Sequence, residues 1–208
     1  MIHKNVKTEF SPEEFMPRID PTAFVHPMGA VIGNVSIGRL VFVAPFASVR
    51  GDEGQPLHIG DESNVQDGVI IHALETFHKG HPVEKNIVEV DGKKYAVYIG
   101  NRVSLAHQAQ IHGPAVVGND CFIGMNSLIF KSRIEDGCVI EPSCVIVGVT
   151  IKSGHFVPAG TVLSSQEEAD RLPKKITENY VFKALNEGVV HVNTSLAEGY
   201  SKAGIQLK

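Results

Sequence analysis

The sequence predicts an all-β fold: a single parallel β-helix built on a six-residue repeat and followed by a C-terminal α-helix. An α-helix has a period of 3.6 residues and a half-buried strand a period of two, so neither explains a period of six. A fixed period of this kind indicates stacked repeats that share one continuous core. Aliphatic residues recur at this spacing in three runs separated by insertions: Ile19, Val25, Val31, Ile37, Val43 and Val49; Ile59, Val65 and Ile71; and Ile99, Leu105, Ile111, Val117 and Ile123. The series then slips by a residue or so and resumes at Ile134, Ile140 and Ile146, and then at Ile151, Val157 and Leu163.

Two further positions of the repeat recur with the same six-residue period as the aliphatic one. Compact residues stand two places before it, and all three cysteines, Cys121, Cys138 and Cys144, occupy this position, so we expect them to fill the core. Glycine often follows the aliphatic residue, with Asp or Asn next, as in Gly60-Asp61 and Gly100-Asn101. Since these residue types tolerate positive φ, we interpret the pairs as sharp corners between short strands.

This pattern resembles the hexapeptide-repeat family. The resemblance implies a left-handed parallel β-helix with three repeats to each triangular coil, whereas the general rule for crossovers would predict the right-handed form. Around twenty repeats would then give about seven coils, each stacked at one strand spacing of ~4.8 Å.

The pattern divides the chain into three segments. Residues 1–18 are expected to form an N-terminal extension, and residues 19–165 the β-helix, with a loop insertion at 73–97. Residues 166–208 are expected to form a C-terminal helical segment that packs on the β-helix. Within this segment we predict a short helix at 166–172 and an amphipathic helix at 179–202. The second helix is indicated by a three-four spacing of apolar residues: Phe182, Leu185, Val189, Val192, Leu196 and Tyr200.

Composition argues against several classes of function. The 208 residues include 19 Lys and Arg against 23 Asp and Glu, so there is no basic excess and we expect no nucleic-acid partner. No apolar run approaches the roughly 20 residues that span a bilayer, so we expect no membrane partner. The N-terminus turns polar before the apolar core of a signal peptide could form, which favours a cytoplasmic protein.

Three of the ten histidines fall in neighbouring repeats. Three repeats to a coil place Ile71 and Ile111 in one column, so the residues that follow them, His72 and His112, stack on successive coils. Arg50 lies one coil below them in the same column. His107 belongs to another column, on the neighbouring corner, beside Gln66 and Asp67 one coil below. If all three histidines bind one metal, His107 must come from another subunit.

A shared site of this kind favours a cyclic homotrimer with three equivalent interfaces, since head-to-tail contacts must close into a ring. The histidines also have simpler interpretations that involve no metal. A lone histidine at a solvated corner is usually plain surface, and two stacked histidines could be an interface pair. Three in neighbouring repeats, with Arg, Asp and Gln beside them, favour a metal site.

Longer segments resemble the γ-class carbonic anhydrases, over essentially the whole chain from about Ile19. The similarity is greatest to the archaeal-type, catalytically competent branch, because an acidic residue is kept in the loop after the first histidine. The segments that carry the resemblance are Arg50-Gly51-Asp52-Glu53-Gly54, Ser63-Asn64-Val65-Gln66-Asp67-Gly68, Ile71-His72-Ala73-Leu74-Glu75, Ser104-Leu105-Ala106-His107-Gln108-Ala109-Gln110-Ile111-His112-Gly113-Pro114 and Phe122-Ile123-Gly124-Met125.

The resemblance implies a role for each matching residue. His72, His107 and His112 match the three metal ligands, with His107 supplied by the adjacent subunit. Gln66 matches the side chain that hydrogen-bonds the metal-bound hydroxide, Glu53 an acid that assists proton movement, and Glu75 an external proton shuttle on a mobile loop. The remaining matches are Arg50, Asp52 and Asp67, in the interface ion pairs and around the ligands, and Asn64 and Asn193, in the pocket lining. His191 stands where the family has a tyrosine, which puts one pocket hydrogen bond or the proton path in doubt.

The resemblance therefore implies metal-dependent, reversible hydration of CO2 to bicarbonate and a proton. One divalent metal would sit at each subunit interface, Zn²⁺ or alternatively Fe²⁺ or Co²⁺, because three imidazoles accept all of these ions. Two alternatives remain open at this stage. One is a catalytically inactive scaffold of the same family. The other is a hexapeptide-repeat acyltransferase, which would use a lone histidine as a base.

Overall fold

The computed structural model describes residues 1–174 and 180–205, and it confirms the predicted parallel β-helix. The chain visits three parallel sheets in turn, so each coil has three sides. Sheet A contains Ile2–His3, Ala30–Gly33, Ser48–Gly51, Ile70–His72, Gln110–His112, Leu128–Phe130, Val145–Val147 and Val162–Leu163. Sheet B contains Arg18–Ile19, Val35–Ile37, Leu57–Ile59, Val97–Ile99, Ala115–Val117, Arg133–Ile134 and Thr150–Ile151. Sheet C contains Phe24–Val25, Phe42–Val43, Asn64–Val65, Ser104–Leu105, Phe122–Ile123, Val139–Ile140 and Phe156–Val157.

The core is the stack of aliphatic side chains that the repeat predicts. Ile71, Ile111 and Ile129 lie one above another in sheet A and are buried. Ile129 belongs to the series, and the period breaks after it, where a corner is one residue shorter on the way to Ile134. The step from Ile146 to Ile151 is shorter by one residue in the same way. The three cysteines are buried and free, as expected for core residues.

The corner glycines are required for a reason other than positive φ. Gly60 does not have positive φ, whereas Glu62, two positions on, does (60°). A Cβ on Gly60 would overlap Oδ1 of Asn101 in the next coil and lie 2.6 Å from the main chain of Gly100. That oxygen accepts a hydrogen bond from the Asp61 N–H at 2.8 Å. The interpretation of these glycines as positive-φ corners was therefore wrong, because close approach between coils excludes the side chain. The same crowding by a stacked Asp or Asn occurs at Gly38, Gly100 and Gly118.

The segments before and between the repeats are more ordered than the sequence indicates. Ile2–His3 pairs with Val31 and Ile32, so part of the N-terminal extension adds a strand to sheet A. The insertion contains two small hairpins, Phe77–His78 with His81–Pro82 and Val88–Val90 with Lys93–Tyr95. A 3₁₀ turn, Glu84–Asn86, lies between them, and Val97 already belongs to sheet B.

Two helices follow the β-helix: α1, Gln166–Ala169, and α2, Leu185–Lys202. Both are shorter than predicted. Leu172 closes an i→i+3 turn on Ala169, and Leu185 closes one on Phe182, so single turns stand where helix was expected. Residue 179 lies outside the described residues. No helix in the described part of the chain is long and apolar enough to cross a membrane.

Aromatic rings fix α2 on sheet C. Tyr200 stacks on Phe24, with ring centroids 5.0 Å apart, and its centroid is 5.9 Å from that of Phe42. Val190 and Ala197 are buried on the same side of the helix. Val192 and Leu196 stay 55% and 38% exposed, so part of the apolar stripe is not covered by this chain.

Gly60→Ala should lower the free energy of unfolding by about 1–3 kcal/mol, because the added methyl must push two coils apart. The matched control is Gly199→Ala in α2, where a Cβ would meet nothing within 4 Å and which lies outside the groove beside His107. That change should stabilise the protein by about 0.5–1 kcal/mol. Denaturant midpoints at one protein concentration measure both. A neutral Gly60→Ala would contradict the crowding argument.

Candidate metal centre

His72 and His112 occupy one corner column, as predicted. They are paired directly across sheet A, and their rings meet edge to face with centroids 5.3 Å apart. Both stand at the carboxyl end of a short strand, where the chain leaves the sheet for the next corner. Arg50 is at the corresponding position one coil below.

Two carboxylates approach His72 from the loop after the Ser48–Gly51 strand. Oε1 of Glu53 lies 3.0 Å from Nε2 of His72, and Oδ1 of Asp52 lies 3.8 Å from it. The other oxygen of Asp52 accepts a hydrogen bond from Nε of Arg50 at 3.0 Å. Among the described residues four buried side-chain atoms have no hydrogen-bond partner, and two of them are Nε2 of His72 and Oδ1 of Asp52. The short contact with Glu53 therefore lacks hydrogen-bond geometry.

His112 is oriented by the main chain and by an aromatic ring. Its Nδ1 lies 3.1 Å from the carbonyl of Gly113. Since a carbonyl can only accept, Nδ1 carries the proton and Nε2 keeps its lone pair. The ring of Phe130, the next residue in this column, contacts the imidazole edge to face at 5.2 Å.

His107 lies on the neighbouring corner with a partner set of its own. Its Nδ1 is 3.1 Å from Oδ2 of Asp67 in the coil below, so Nδ1 is held as the donor and Nε2 is left as a possible ligand. The amide of Gln66 donates to Oδ1 of Asn64 at 2.9 Å, and the amide of Asn64 donates to the Ser104 hydroxyl at 2.9 Å. Asn64 and Gln66 are buried, so this hydrogen-bonded chain is fixed.

One chain thus carries two half-sites on different corners. We call the group around His72 and His112 the double-histidine half, and the group around His107 the single-histidine half. The strand Gln110–His112 separates them along one side of the coil. Their positions agree with the column count, which required a second subunit for a three-histidine site.

Helix α2 borders the single-histidine half. A groove there is lined by Gln66, Asp67, His107 and Asn193, together with the apolar residues Phe42, Ala44, Leu185, Val189, Val192 and Leu196. Asn193 is buried and donates to the carbonyl of Val189 at 2.9 Å. The side chain of His191 is exposed and does not line this groove.

Both halves suit a divalent cation. Imidazole nitrogens are ligands that divalent transition metals accept. In His107 and His112 the Nδ1 atom is fixed by an acceptor, which is the usual arrangement around metal-binding histidines. Nε2 of His72 and Oδ1 of Asp52 are buried without a hydrogen-bond partner, and a bound cation would interact favourably with both. Within one chain, ligand atoms of Asp52, Glu53 and His72 also lie within 4.8 Å of one another, so this trio is a competing cation site.

Comparison with known proteins identifies the family. Residues 96–131 match the family model described as bacterial transferase hexapeptide (six repeats). A carbonic anhydrase of Methanosarcina thermophila is 56% identical to this chain over 202 residues, which are 97% of this chain and 81% of that protein. The chain belongs to the γ-class carbonic anhydrases. The β-helix is of the left-handed type expected for that class.

Other relatives share part of the chain or the fold alone. The carboxysome assembly protein CcmM of Nostoc sp. is 40% identical over 183 residues, or 88% of this chain, but the chain spans only 31% of that protein. The structure of a hexapeptide transferase family protein from Anaplasma phagocytophilum has a TM-score of 0.68 and 23% identity, covering 89% of this chain and 93% of that one. At this identity the likeness shows the fold.

Sequence reasoning missed several residues around the two half-sites and in the insertion beside them. Phe130 follows Ile129 in the histidine column, so extending the column by one coil would have found it. Ser104, in register with Asn64, could have been found in the same way. Thr76 and Asn86 had no such signal, because they lie in the insertion, where the repeat does not apply.

Asp67→Asn should weaken divalent-metal binding by about 10–100-fold, because a neutral amide holds His107 as a proton donor on Nδ1 less firmly than a carboxylate does. Metal competition with a chelator at constant pH measures the change. Asp120→Asn is the control, since Asp120 pairs with the exposed Arg102 away from both halves. An unchanged affinity in Asp67→Asn would indicate that Asp52, Glu53 and His72 hold the metal instead.

Proposed function

We propose that this protein catalyses the reversible hydration of CO2 to bicarbonate, at a divalent metal shared between two subunits of a homotrimer. His72 and His112 of one subunit and His107 of the next would hold the metal. The observation that carries the proposal is the division of the three histidines between two corners, with Nε2 left free on His107 and His112. The carbonic anhydrase relative, matched over 97% of this chain, supports the choice of substrate.

Three neutral imidazoles leave a bound metal with its full charge and with open coordination positions. When bound, such a metal acts as a Lewis acid that brings the pKa of water to roughly 7, so hydroxide for attack on CO2 is available at neutral pH. Zn²⁺, Fe²⁺ and Co²⁺ all accept imidazole ligands. Metal analysis of protein purified without oxygen distinguishes them.

The chain supplies fixed polar groups around this site. Because the Gln66 amide nitrogen is engaged by Asn64, its Oε1 is left as an acceptor for a proton-bearing oxygen in the pocket. Glu53, 3.0 Å from His72, provides a carboxylate that can accept a proton. Glu75 is exposed at the start of the insertion and can pass the proton to buffer.

The trimer is supported by the exposed apolar residues beside the single-histidine half. Val192 and Leu196 line the same groove as His107, and this chain leaves both partly exposed. A neighbouring subunit that brought its double-histidine half to this groove would cover them. A cytoplasmic location is part of the proposal and is supported by the three free cysteines, which suit a reducing compartment.

An inactive scaffold is the second candidate, and the relatives named as carboxysome assembly proteins favour it. The presence of Gln66, Glu53 and Glu75 supports the enzyme over the scaffold. The acyltransferase alternative has support only from the matched repeat and from likeness in fold, neither of which determines chemistry.

The deciding experiment is stopped-flow CO2 hydration by protein loaded separately, without oxygen, with Zn²⁺, Fe²⁺ and Co²⁺. Activity well above buffer with at least one metal, removed by a chelator and restored by that metal, would support the enzyme. If no metal gives a rate above that of buffer alone, the enzyme proposal fails and the inactive scaffold is the better explanation.

His72→Ala and His107→Ala subunits, co-expressed in equal amounts, should recover metal that neither variant binds tightly alone. An interface is intact when its first subunit carries only the His107 change and its second only the His72 change. Random assembly of a ring gives about a quarter of wild-type sites. Metal content per subunit measures this recovery. Complete absence of recovery, with trimers still formed, would contradict a shared site.

Glu75→Ala should lower kcat chiefly in weak buffer, because proton export then loses its carboxylate, and added imidazole should restore the rate. Glu84→Ala is the matched control: Glu84 is an exposed acid of the same insertion, paired with Lys94. Initial rates over a range of buffer concentrations give the comparison. A Glu75→Ala rate that does not depend on buffer would remove Glu75 from the proton path.

A further inference from the structure

We propose that Thr76 and Asn86 are positioning residues that fix the main chain carrying the two acids Glu53 and Glu75. The proposal rests on the proposed function, in which Glu53 accepts a proton and Glu75 passes it to buffer. Neither residue belongs to the six-residue repeat, and the side-chain hydrogen bonds described for both are with the main chain of residues 53, 55 and 75. Their action would be through the placement of the acids.

Thr76 is completely buried between the Glu53 loop and the start of the insertion. Its hydroxyl donates to the carbonyl of Glu53 at 2.9 Å and accepts from the N–H of Gln55 at 2.5 Å. Its own N–H also donates to the Glu53 carbonyl, at 2.9 Å. One residue therefore holds the main chain on both sides of Gly54.

The shape of the loop at Gly54 is fitted to that hydroxyl. Gly54 has φ of +105°, which favours glycine. A Cβ there would overlap the Thr76 hydroxyl and lie 3.0 Å from the carbonyl of Phe10. The N-terminal segment, the Glu53 loop and the insertion thus meet at one point, and any side chain at position 54 would displace Thr76.

Asn86 holds the other acid. Its side chain is 2% exposed, and its Nδ2 donates to the carbonyl of Glu75 at 2.7 Å. The next carbonyl, that of Thr76, accepts from the N–H of Val83 at 2.9 Å. The sequence predicted a mobile loop for Glu75. In the structure its carbonyl is held by Asn86 and its side chain is exposed.

Hydrogen bonds of Thr76 consequently link the main chain beside the two acids. Glu53 sits beside His72 inside the half-site, Glu75 stands at the surface, and Thr76 bonds to the main chain of the first while adjoining the second. Proton transfer requires groups within hydrogen-bond reach or one water apart. A displacement of about 1 Å in such a relay can cost a large factor in rate.

The test compares metal-loaded wild type with Thr76→Val, which keeps the shape and loses the hydroxyl, and with Thr76→Ser, which keeps the hydroxyl. Ser127→Ala is the matched control, because the buried Ser127 hydroxyl also donates to one carbonyl and accepts from one N–H, those of Glu141 and Cys144. Amide hydrogen exchange at Gln55 reports the hydrogen bond directly, without reference to activity.

Thr76→Val should speed exchange at the Gln55 amide about fivefold, as expected for one lost hydrogen bond. Thr76→Ser and Ser127→Ala should leave it at the wild-type rate. In weak buffer, Thr76→Val should also lower kcat for CO2 hydration by about tenfold, with kcat/KM near wild type, and Thr76→Ser should restore kcat. Asn86→Ala should lower kcat in weak buffer and leave Gln55 exchange unchanged.

Unchanged Gln55 exchange in Thr76→Val would overturn the proposal, as would a Thr76→Ser variant that behaves like Thr76→Val. An equal loss of kcat in Ser127→Ala would show a general effect of a lost buried hydroxyl and would also overturn it. If wild type is inactive with every metal, the proposed function fails, while the exchange rates still decide whether Thr76 fixes the Glu53 loop.

Discussion

The register of the parallel strands is the constraint on which the rest of the site depends. Pairing of Ile70–His72 with Gln110–His112 sets two imidazoles against each other, although the whole insertion separates them along the chain. The same regularity brings Asp67 under His107. A slip of one residue in a strand exchanges its inward and outward side chains, so it would bury a histidine in the aliphatic core. Stability and the position of the ligands are thus set by the same hydrogen bonds.

The register also explains why the site is divided. In the proposed site, His72 and His112 on one column share a metal within a chain, and His107 on the next corner reaches it across an interface. Each half has carboxylates of its own, Asp52 and Glu53 in one and Asp67 in the other. A buried polar atom without a partner costs about 1–3 kcal/mol, and the double-histidine half has two. A cation between subunits would satisfy both halves, so metal binding and assembly should stabilise each other.

The features that the sequence predicted correctly follow from the six-residue repeat. Most of the residues that it missed lie where the repeat does not apply. The six-residue period placed His72, His107 and His112 on their columns, because every third repeat returns to the same corner. The corner glycines were predicted, but the reason given for them, positive φ, was wrong. They are required by close contact between coils, as at Gly60 and Asn101, which a single repeat does not reveal. Helix α2 begins later than its apolar spacing indicates, because periodicity alone does not distinguish a helix from successive turns. Thr76 and Asn86 act through main-chain groups of an insertion without a period, so no pattern could identify them.

The most direct test of the shared site is anomalous X-ray scattering, at the absorption edge of the metal, from crystals of the loaded trimer. The proposal predicts one peak per subunit, at ~2.0–2.1 Å from nitrogens of His72 and His112 and of His107 of the partner subunit. A peak held by Asp52, Glu53 and His72 of one subunit, with His107 remote from it, would contradict it.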